Sequence, residues 1–289
     1  MFPTFSRHSF HVSFLSFHMW RADALGQTHQ VVTKEIHFVE MPLEEEMDRG
    51  ASAYGPRPDV ITRIRPHRDI HPTLTLTLTV LSCAPRVFEI QQFLSDVEVE
   101  HLLSIARESD LEESSVSSGS ASQRTNQKTT RTSTNSWIPR QKDVMTDAIY
   151  RRAADLLHMD ESLLRWRRAT EIPEFTESKI SVAEPLQLVH YEEGQQYTPH
   201  HDFVMPGMIN LQPSRFATIL LYLNDDMEGG ETSFPLWVHG KDEPDTLKVK
   251  PEKGKAILFY NLLPDGNYDQ LSMHAAMPVT KGEKWLTNL

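Results

Sequence analysis

After Glu184 the chain becomes a succession of short apolar and β-branched runs divided by turn signals: LQLVHY, FATILLYL, ETSF behind Gly229-Gly230, and KAILFYN. Runs of four to eight such residues, bounded by Gly, Asn and Asp, are strand signals. The helical signals lie earlier. Ser95 followed by Glu98 forms a capping-box pattern ahead of Val99, Leu102, Leu103 and Ala106, which predicts a helix to about Ser109. Val144, Ala148, Ile149, Ala153, Leu156 and Leu157 recur at helical spacing and predict a second helix over about 142–159. Helices on one side of the sequence and many short strands on the other imply an α+β domain, an antiparallel barrel or jelly roll carrying a helical layer.

The rest of the chain of 289 residues sets boundaries on that domain. From Gln27 to about Pro72 the sequence is polar and keeps neither a helical nor a strand period, so residues 1–84 are expected to be leader or tail and 85–289 the folded domain. The alternation TLTLTLTV from Thr73 to Val80 fits one half-buried strand and equally a low-complexity tract. Met1 to Ala24 has the outline of a secretory signal, with Arg7, an apolar-leaning stretch and an Ala22-Asp23-Ala24 triplet. His11, Ser13, Ser16 and His18 interrupt that stretch, and an unstructured leader is the competing reading. No run of apolar residues approaches the roughly 18 needed to span a bilayer. The segment from Ser114 to Ser136, almost wholly polar, reads as a long loop.

Charge and cysteine content narrow the chemistry. With 29 Lys and Arg against 40 Asp and Glu the formal charge is −11, which argues against nucleic acid as the main partner. The single cysteine, Cys83, excludes an internal disulfide framework and cysteine-based metal clusters. Any metal site must therefore use imidazole, carboxylate and water. His-x-Asp triplets suit that purpose, because alternate residues of an extended segment point to the same side. The composition yields about one such triplet by chance, and three occur: His67-Arg-Asp69, His158-Met-Asp160 and His200-His-Asp202. His67 lies in the Pro-rich tail. His158 lies at a helix end, where Asp160 reads as an N-cap. His200 and Asp202 border the strand-rich region, where a rigid scaffold can present them, with His201 facing the other way. His274, in LSMHAAMPV, is the best third ligand. Two His and one carboxylate leave positions open, the pattern of non-haem Fe(II) oxygenases, and zinc hydrolases use the same donors. Lys284, ten residues further on, is a cation suited to the far carboxylate of a dicarboxylic co-substrate.

Together with RTSTNSW, EPLQLVHYEEGQQYTPHHDF, RFATILLYLNDDMEGGETSFP and SMHAAMPVTKGEKW, these features make the chain from Pro85 to Leu289 resemble the prolyl 4-hydroxylase family of Fe(II)- and 2-oxoglutarate-dependent dioxygenases. The resemblance implies a double-stranded β-helix core with the N-terminal helices packed on one side. It implies iron ligands His200, Asp202 and His274, with Lys284 on the far carboxylate of 2-oxoglutarate and Tyr191 and Thr218 helping to hold that co-substrate. It further implies a peptide groove lined by Arg131, Ser133, Glu184, Gln187, Tyr197 and Arg215. The family's reaction couples decarboxylation of 2-oxoglutarate to succinate and CO2 with hydroxylation of peptidyl proline at C4, with ascorbate as reductant. The implied partner is a proline-containing peptide or protein, and the implied compartment is the endoplasmic reticulum or secretory pathway. Under this reading the Ser114–Ser136 segment is a lid over the peptide.

Two departures accompany the likeness. The chain stops at Leu289, where family members continue through another Trp, which predicts an unpaired sheet edge beside Lys284. Met277 stands where relatives often carry Cys. The alternatives left open are a related dioxygenase with another protein substrate and a catalytically silent jelly-roll binding module.

Overall fold

The computed structural model describes residues 18–41, 63–66, 73–114, 130–165, 181–203, 215–238 and 245–289. Its frame is a nine-stranded antiparallel sheet in the order Thr28–Thr33, Leu74–Cys83, Arg86–Ile90, Ala256–Tyr260, Ala217–Tyr222, Lys284–Asn288, Leu186–Tyr191, Thr134–Ile138 and Glu112–Glu113. A four-stranded sheet, Asp245–Val249, Thr232–Trp237, His274–Ala276 and Tyr197–His200, supplies the second layer.

Strand periodicity divides the major sheet into two buried faces. Leu186, Leu188, Ile219, Leu221, Ala256 and Leu258 point to one side, where they pack with Val99, Leu102, Ile105, Ile149, Ala153 and Leu156 of the helices. Val189, Tyr191, Leu220, Tyr222, Ile257, Phe259 and Leu286 point to the other, where they meet Phe234 and Val249 of the minor sheet. This is the expected α+β jelly-roll core with helices on one side. Fully buried aliphatic side chains such as Leu78 and Leu258 each contribute about 1.5–3 kcal/mol of apolar burial.

The first helix, Asp96–Glu108, begins as the sequence predicts: Ser95 accepts from the Glu98 amide, and the Glu98 carboxylate accepts from the Ser95 amide. The second helix, Val144–Leu156, is shorter than expected. Asp143 caps it by accepting from the Thr146 amide, leaving Arg140–Lys142 in a separate 3₁₀ turn. At the far end His158 adopts φ 52°, outside the helical region.

Ordered structure does not begin near Pro85, and that expectation is corrected. Leu74–Cys83 pairs with Arg86–Ile90, and Thr28–Thr33 pairs with Leu74–Cys83. Only one face of these strands is buried, through Val31, Leu76, Leu78 and Val80. Most of their outward residues are polar, Val32 excepted, so the average composition reads as a tail. Trp20 is also buried and donates its indole N–H to the Leu156 carbonyl at 2.8 Å. Most of the Met1–Ala24 segment and His67 lie outside the described residues.

Two further expectations change. The C-terminal end of the supposed Ser114–Ser136 loop, from Thr134, is part of a sheet strand, while most of the proposed lid lies outside the described residues. Lys284–Asn288 is not an edge: it is paired on one side with Ala217–Tyr222 and on the other with Leu186–Tyr191.

Candidate metal centre

Tyr197–His200 and His274–Ala276 are antiparallel neighbours in which His200 and His274 are direct partners. Opposite residues of a ladder project from the same face, so the two imidazoles converge, with ring centroids 4.3 Å apart. Asp202 follows two residues after His200. Its Oδ1 lies 3.8 Å from Nε2 of His200 and its Oδ2 lies 3.7 Å from Nε2 of His274. Among the described residues these three form the one group able to offer a metal three ligand atoms, all within 4.8 Å of one another.

Neighbouring groups prepare each donor. Nδ1 of His200 bonds the Thr198 carbonyl at 2.8 Å, and Nδ1 of His274 bonds the Ser272 carbonyl at 3.0 Å. A carbonyl can only accept, so each ring carries a proton on Nδ1 and turns Nε2 toward the cluster. Burial and the neighbouring His274 lower the His200 imidazole to about 3 against the pull of Asp202, keeping it a neutral donor. Burial pushes the Asp202 carboxyl up, but His274, His200, Arg215 and the Thr218 hydroxyl together hold it below the ordinary carboxylate value. Phe259 and Phe234 wall the His274 side, at ring separations of 4.6 and 6.0 Å. Two imidazoles that turn Nε2 inward and one ionised carboxylate fit a divalent metal with open coordination positions.

The other expected residues gather around this cluster in two groups. Lys284 is the direct partner of Tyr191. Its ammonium is fully buried, donates to the Gly230 carbonyl at 2.6 Å, and lies 5.5 Å from the Tyr191 ring and 5.6 Å from the Tyr222 ring. Burial lowers the Lys284 ammonium to about 7, with Glu231 pulling weakly the other way. Burial also raises the Tyr191 phenol, which stays protonated and within hydrogen-bonding reach of Ser133. The Thr218 hydroxyl donates to Asp202 Oδ2 at 2.7 Å, so its single proton is committed to the carboxylate of the cluster.

The second group forms the mouth. Tyr197 stacks on His200 at 3.5 Å between centroids, and the Arg131 guanidinium lies 4.8 Å over the Tyr197 ring while bonding Ser133. Arg215 grips Glu184 through two hydrogen bonds of 2.7 and 3.0 Å and reaches Asp202 Oδ1 at 3.3 Å. Gln187 is buried further along the same face of its strand and accepts from Asn288 at 3.2 Å.

Residues with identical local spacing stay apart. The His158 ring stacks on His18, and Asp160 caps the Glu161–Leu164 turn by accepting from the Ser162 amide. His201 bonds the Gln270 carbonyl and takes no part in the cluster. Sequence reasoning missed Asn261, which is fully buried and donates to Thr218 Oγ1 at 3.0 Å, and Gly230, whose carbonyl receives Lys284. The Asn at the end of the KAILFYN run was the one available signal for the former.

Fold and site together define a jelly-roll protein with a facial His-Asp-His metal centre, and comparison with known proteins places it further. A family model described as the 2OG-Fe(II) oxygenase superfamily matches residues 186–289. Probable prolyl 4-hydroxylase 6 of Arabidopsis thaliana is 35% identical over 222 residues, covering 72% of this chain and 69% of that protein. Probable prolyl 4-hydroxylase 7 of the same plant is 34% identical over 219 residues, and this chain spans 63% of its length while 72% of this chain is matched. Among solved structures, the viral collagen prolyl hydroxylase vCPH from Paramecium Bursaria Chlorella virus-1, in its 2OG complex, is 25% identical with a TM-score of 0.47, covering 70% of this chain and 93% of that one. The chain belongs to the prolyl 4-hydroxylase family of 2-oxoglutarate- and Fe(II)-dependent oxygenases, whose cofactor and co-substrate are Fe(II) and 2-oxoglutarate. Among the described residues no helix is long and apolar enough to cross a membrane.

Proposed function

We propose that this protein hydroxylates peptidyl proline at C4, consuming 2-oxoglutarate and O2 and releasing succinate and CO2. The observation that carries this reading is the conjunction of His200, Asp202 and His274 in one cluster with a fully buried Lys284 held by the Gly230 carbonyl. Among the described residues no carboxylate is bonded to Lys284, and a lysine buried that way is costly for a structural role and suits an anionic co-substrate.

In this reading His200, Asp202 and His274 hold Fe(II), which supplies the activation of O2 and 2-oxoglutarate that no protein side chain can supply. Lys284 binds the distal carboxylate of 2-oxoglutarate, and the protonated Tyr191 phenol donates a second hydrogen bond to it. Thr218 and Asn261 fix the rotation of the Asp202 carboxylate. Arg131, Ser133, Tyr197, Glu184, Gln187 and Arg215 line the peptide path, the charged pair Arg215–Glu184 offering both a donor and an acceptor to a peptide backbone. Phe259 and Phe234 keep water from the His274 side. The endoplasmic reticulum or secretory pathway remains the proposed compartment, on the family likeness.

The test is succinate release by purified protein supplied with Fe(II), ascorbate and 2-oxoglutarate, with and without a poly-proline peptide. Peptide-stimulated release with hydroxyproline in the product is expected, and His200→Ala should abolish it. Iron-dependent release that ignores proline peptides would shift the assignment to another protein substrate. Absence of any iron- and 2-oxoglutarate-dependent turnover would overturn the proposal.

A further inference from the structure

Trp137 is a large aromatic residue left 49% exposed on the functional face of the major sheet. Its side is fixed by register. Trp137 is the direct partner of Gln187, Gln187 of Asn288, and Asn288 of Leu220. Opposite residues share a face, and Leu220 belongs to the cluster between the sheets, so the row Leu220, Asn288, Gln187, Trp137 runs along the metal-bearing face. Its neighbours Ser136 and Ile138 turn to the helical side, where Ile138 is packed.

The row ends in the open. Among the described residues the strand outside Thr134–Ile138 is Glu112–Glu113, which pairs with Asn135 and Thr134, and none pairs beside Trp137. At the other end, Thr218 lies two residues from Leu220 on the same face and holds Asp202. Arg215, three residues before Thr218, is paired with Glu184, three residues before Gln187, and both are partly exposed. A metal ligand, a charged pair and an exposed indole therefore line one continuous path across the sheet mouth.

We infer that Trp137 is a specificity-determining platform that binds a second proline of the substrate, distant from the residue presented at the metal; this rests on the peptidyl-proline reading above. Three strand spacings of about 4.8 Å separate the Thr218 strand from the Trp137 strand, about 14 Å in all. A polyproline II chain advances about 3.1 Å per residue, so the indole meets a residue four to five positions from the one at the metal. A pyrrolidine ring is compact, apolar and already ordered, so packing it on an exposed indole costs little conformational entropy. The extended chain displays bare carbonyls, and Arg215 is the donor along the path.

The experiment compares wild type, Trp137→Ala and Trp137→Phe with proline-repeat peptides of three and of ten residues, measuring KM and kcat for peptide and KM for 2-oxoglutarate. One aromatic contact is worth roughly a three- to tenfold change in affinity. Trp137→Ala should raise KM for the ten-residue peptide by that factor and leave its kcat, the tripeptide KM and the 2-oxoglutarate KM unchanged, with Trp137→Phe recovering most of the loss. An unchanged KM for the long peptide would overturn the inference. So would an equal change for both peptides, which marks a general disturbance, or a loss of self-association in Trp137→Ala by sedimentation, which marks a contact between copies. If wild type releases succinate but hydroxylates neither peptide, the peptidyl-proline reading itself fails, and the platform with it.

Discussion

His200 and His274 face each other as partners of one antiparallel strand pair, and their Nε2 atoms share the two oxygens of Asp202. The separation of the two imidazoles is therefore set by strand spacing, while the carboxylate, on the turn beyond the strand, needs its own support. Thr218 and Asn261 provide it from two neighbouring strands of the other sheet.

Removing that support should weaken metal binding without dismantling the cluster. Thr218→Val deletes the donor to Asp202 Oδ2 and strands the Asn261 amide. Loss of such an outer hydrogen bond typically costs 10- to 100-fold in metal affinity. Anaerobic titration with Fe(II), or Co(II) absorbance, should show a fall of about that size in Thr218→Val and a smaller one in Asn261→Ala. Unchanged affinity in both would show that the carboxylate needs no help.

Lys284 predicts a trade of stability for function. Its value lies at about 7 in the fold against 10.5 when free, so between those values the unfolded chain holds the extra proton. Stability from this group therefore rises with pH across that window, and the penalty is full below it. Lys284→Met should raise the KM for 2-oxoglutarate at least tenfold. It should melt at a higher temperature than wild type near pH 7, and the gap should shrink toward pH 10. A mutant less stable than wild type at pH 7 would contradict this account.

Gly230 should tolerate no side chain. Its φ is +70°, and a Cβ there would lie 3.2 Å from Cδ of Lys284 and 3.4 Å from Cγ2 of Val279. The left-handed backbone alone costs about 1–2 kcal/mol in a residue with a Cβ. Gly230→Ala should lower the melting temperature and also raise the KM for 2-oxoglutarate, because the lysine must shift. Gly254→Ala, which would meet the Leu94 carbonyl at 2.6 Å away from the centre, should lower stability alone.

The helical layer rests on a buried ion pair. Glu98 and Arg152 are both fully buried and joined by bonds of 2.9 and 2.6 Å, and Arg152 also holds the carbonyls of Phe93 and Ile36. Breaking one side of such a pair costs about 3–5 kcal/mol. Glu98→Ala should lose that much in denaturant unfolding, with KM values of the folded fraction unchanged.

Local features of the sequence determined the elements whose causes are local. The Ser95 capping box, the TLTLTLTV alternation and the apolar runs from Leu186 to Asn261 each act over a few residues and are visible as such. His200 and Asp202 could be paired by eye for the same reason, since two positions on an extended segment share a side. Asp143, whose carboxylate caps the second helix at the Thr146 amide, is a local signal of the same kind.

What only the tertiary structure decided were matters of pairing and burial. Thr28–Thr33 joins the sheet because Leu74–Cys83 offers it a hydrogen-bonding edge, and no pattern within six residues announces a partner elsewhere. Lys284 is buried because its strand lies between two others; as a letter beside Lys281 it reads as surface. Asn261 matters because it lies under Thr218, and Trp137 because nothing described pairs beside it. Periodicity and capping are properties of a segment, whereas ladder order and solvent exclusion belong to the assembled sheet. That is the physical reason the spacing of His200 and Asp202 is legible in the sequence and the contacts of Thr218 and Asn261 around them are not.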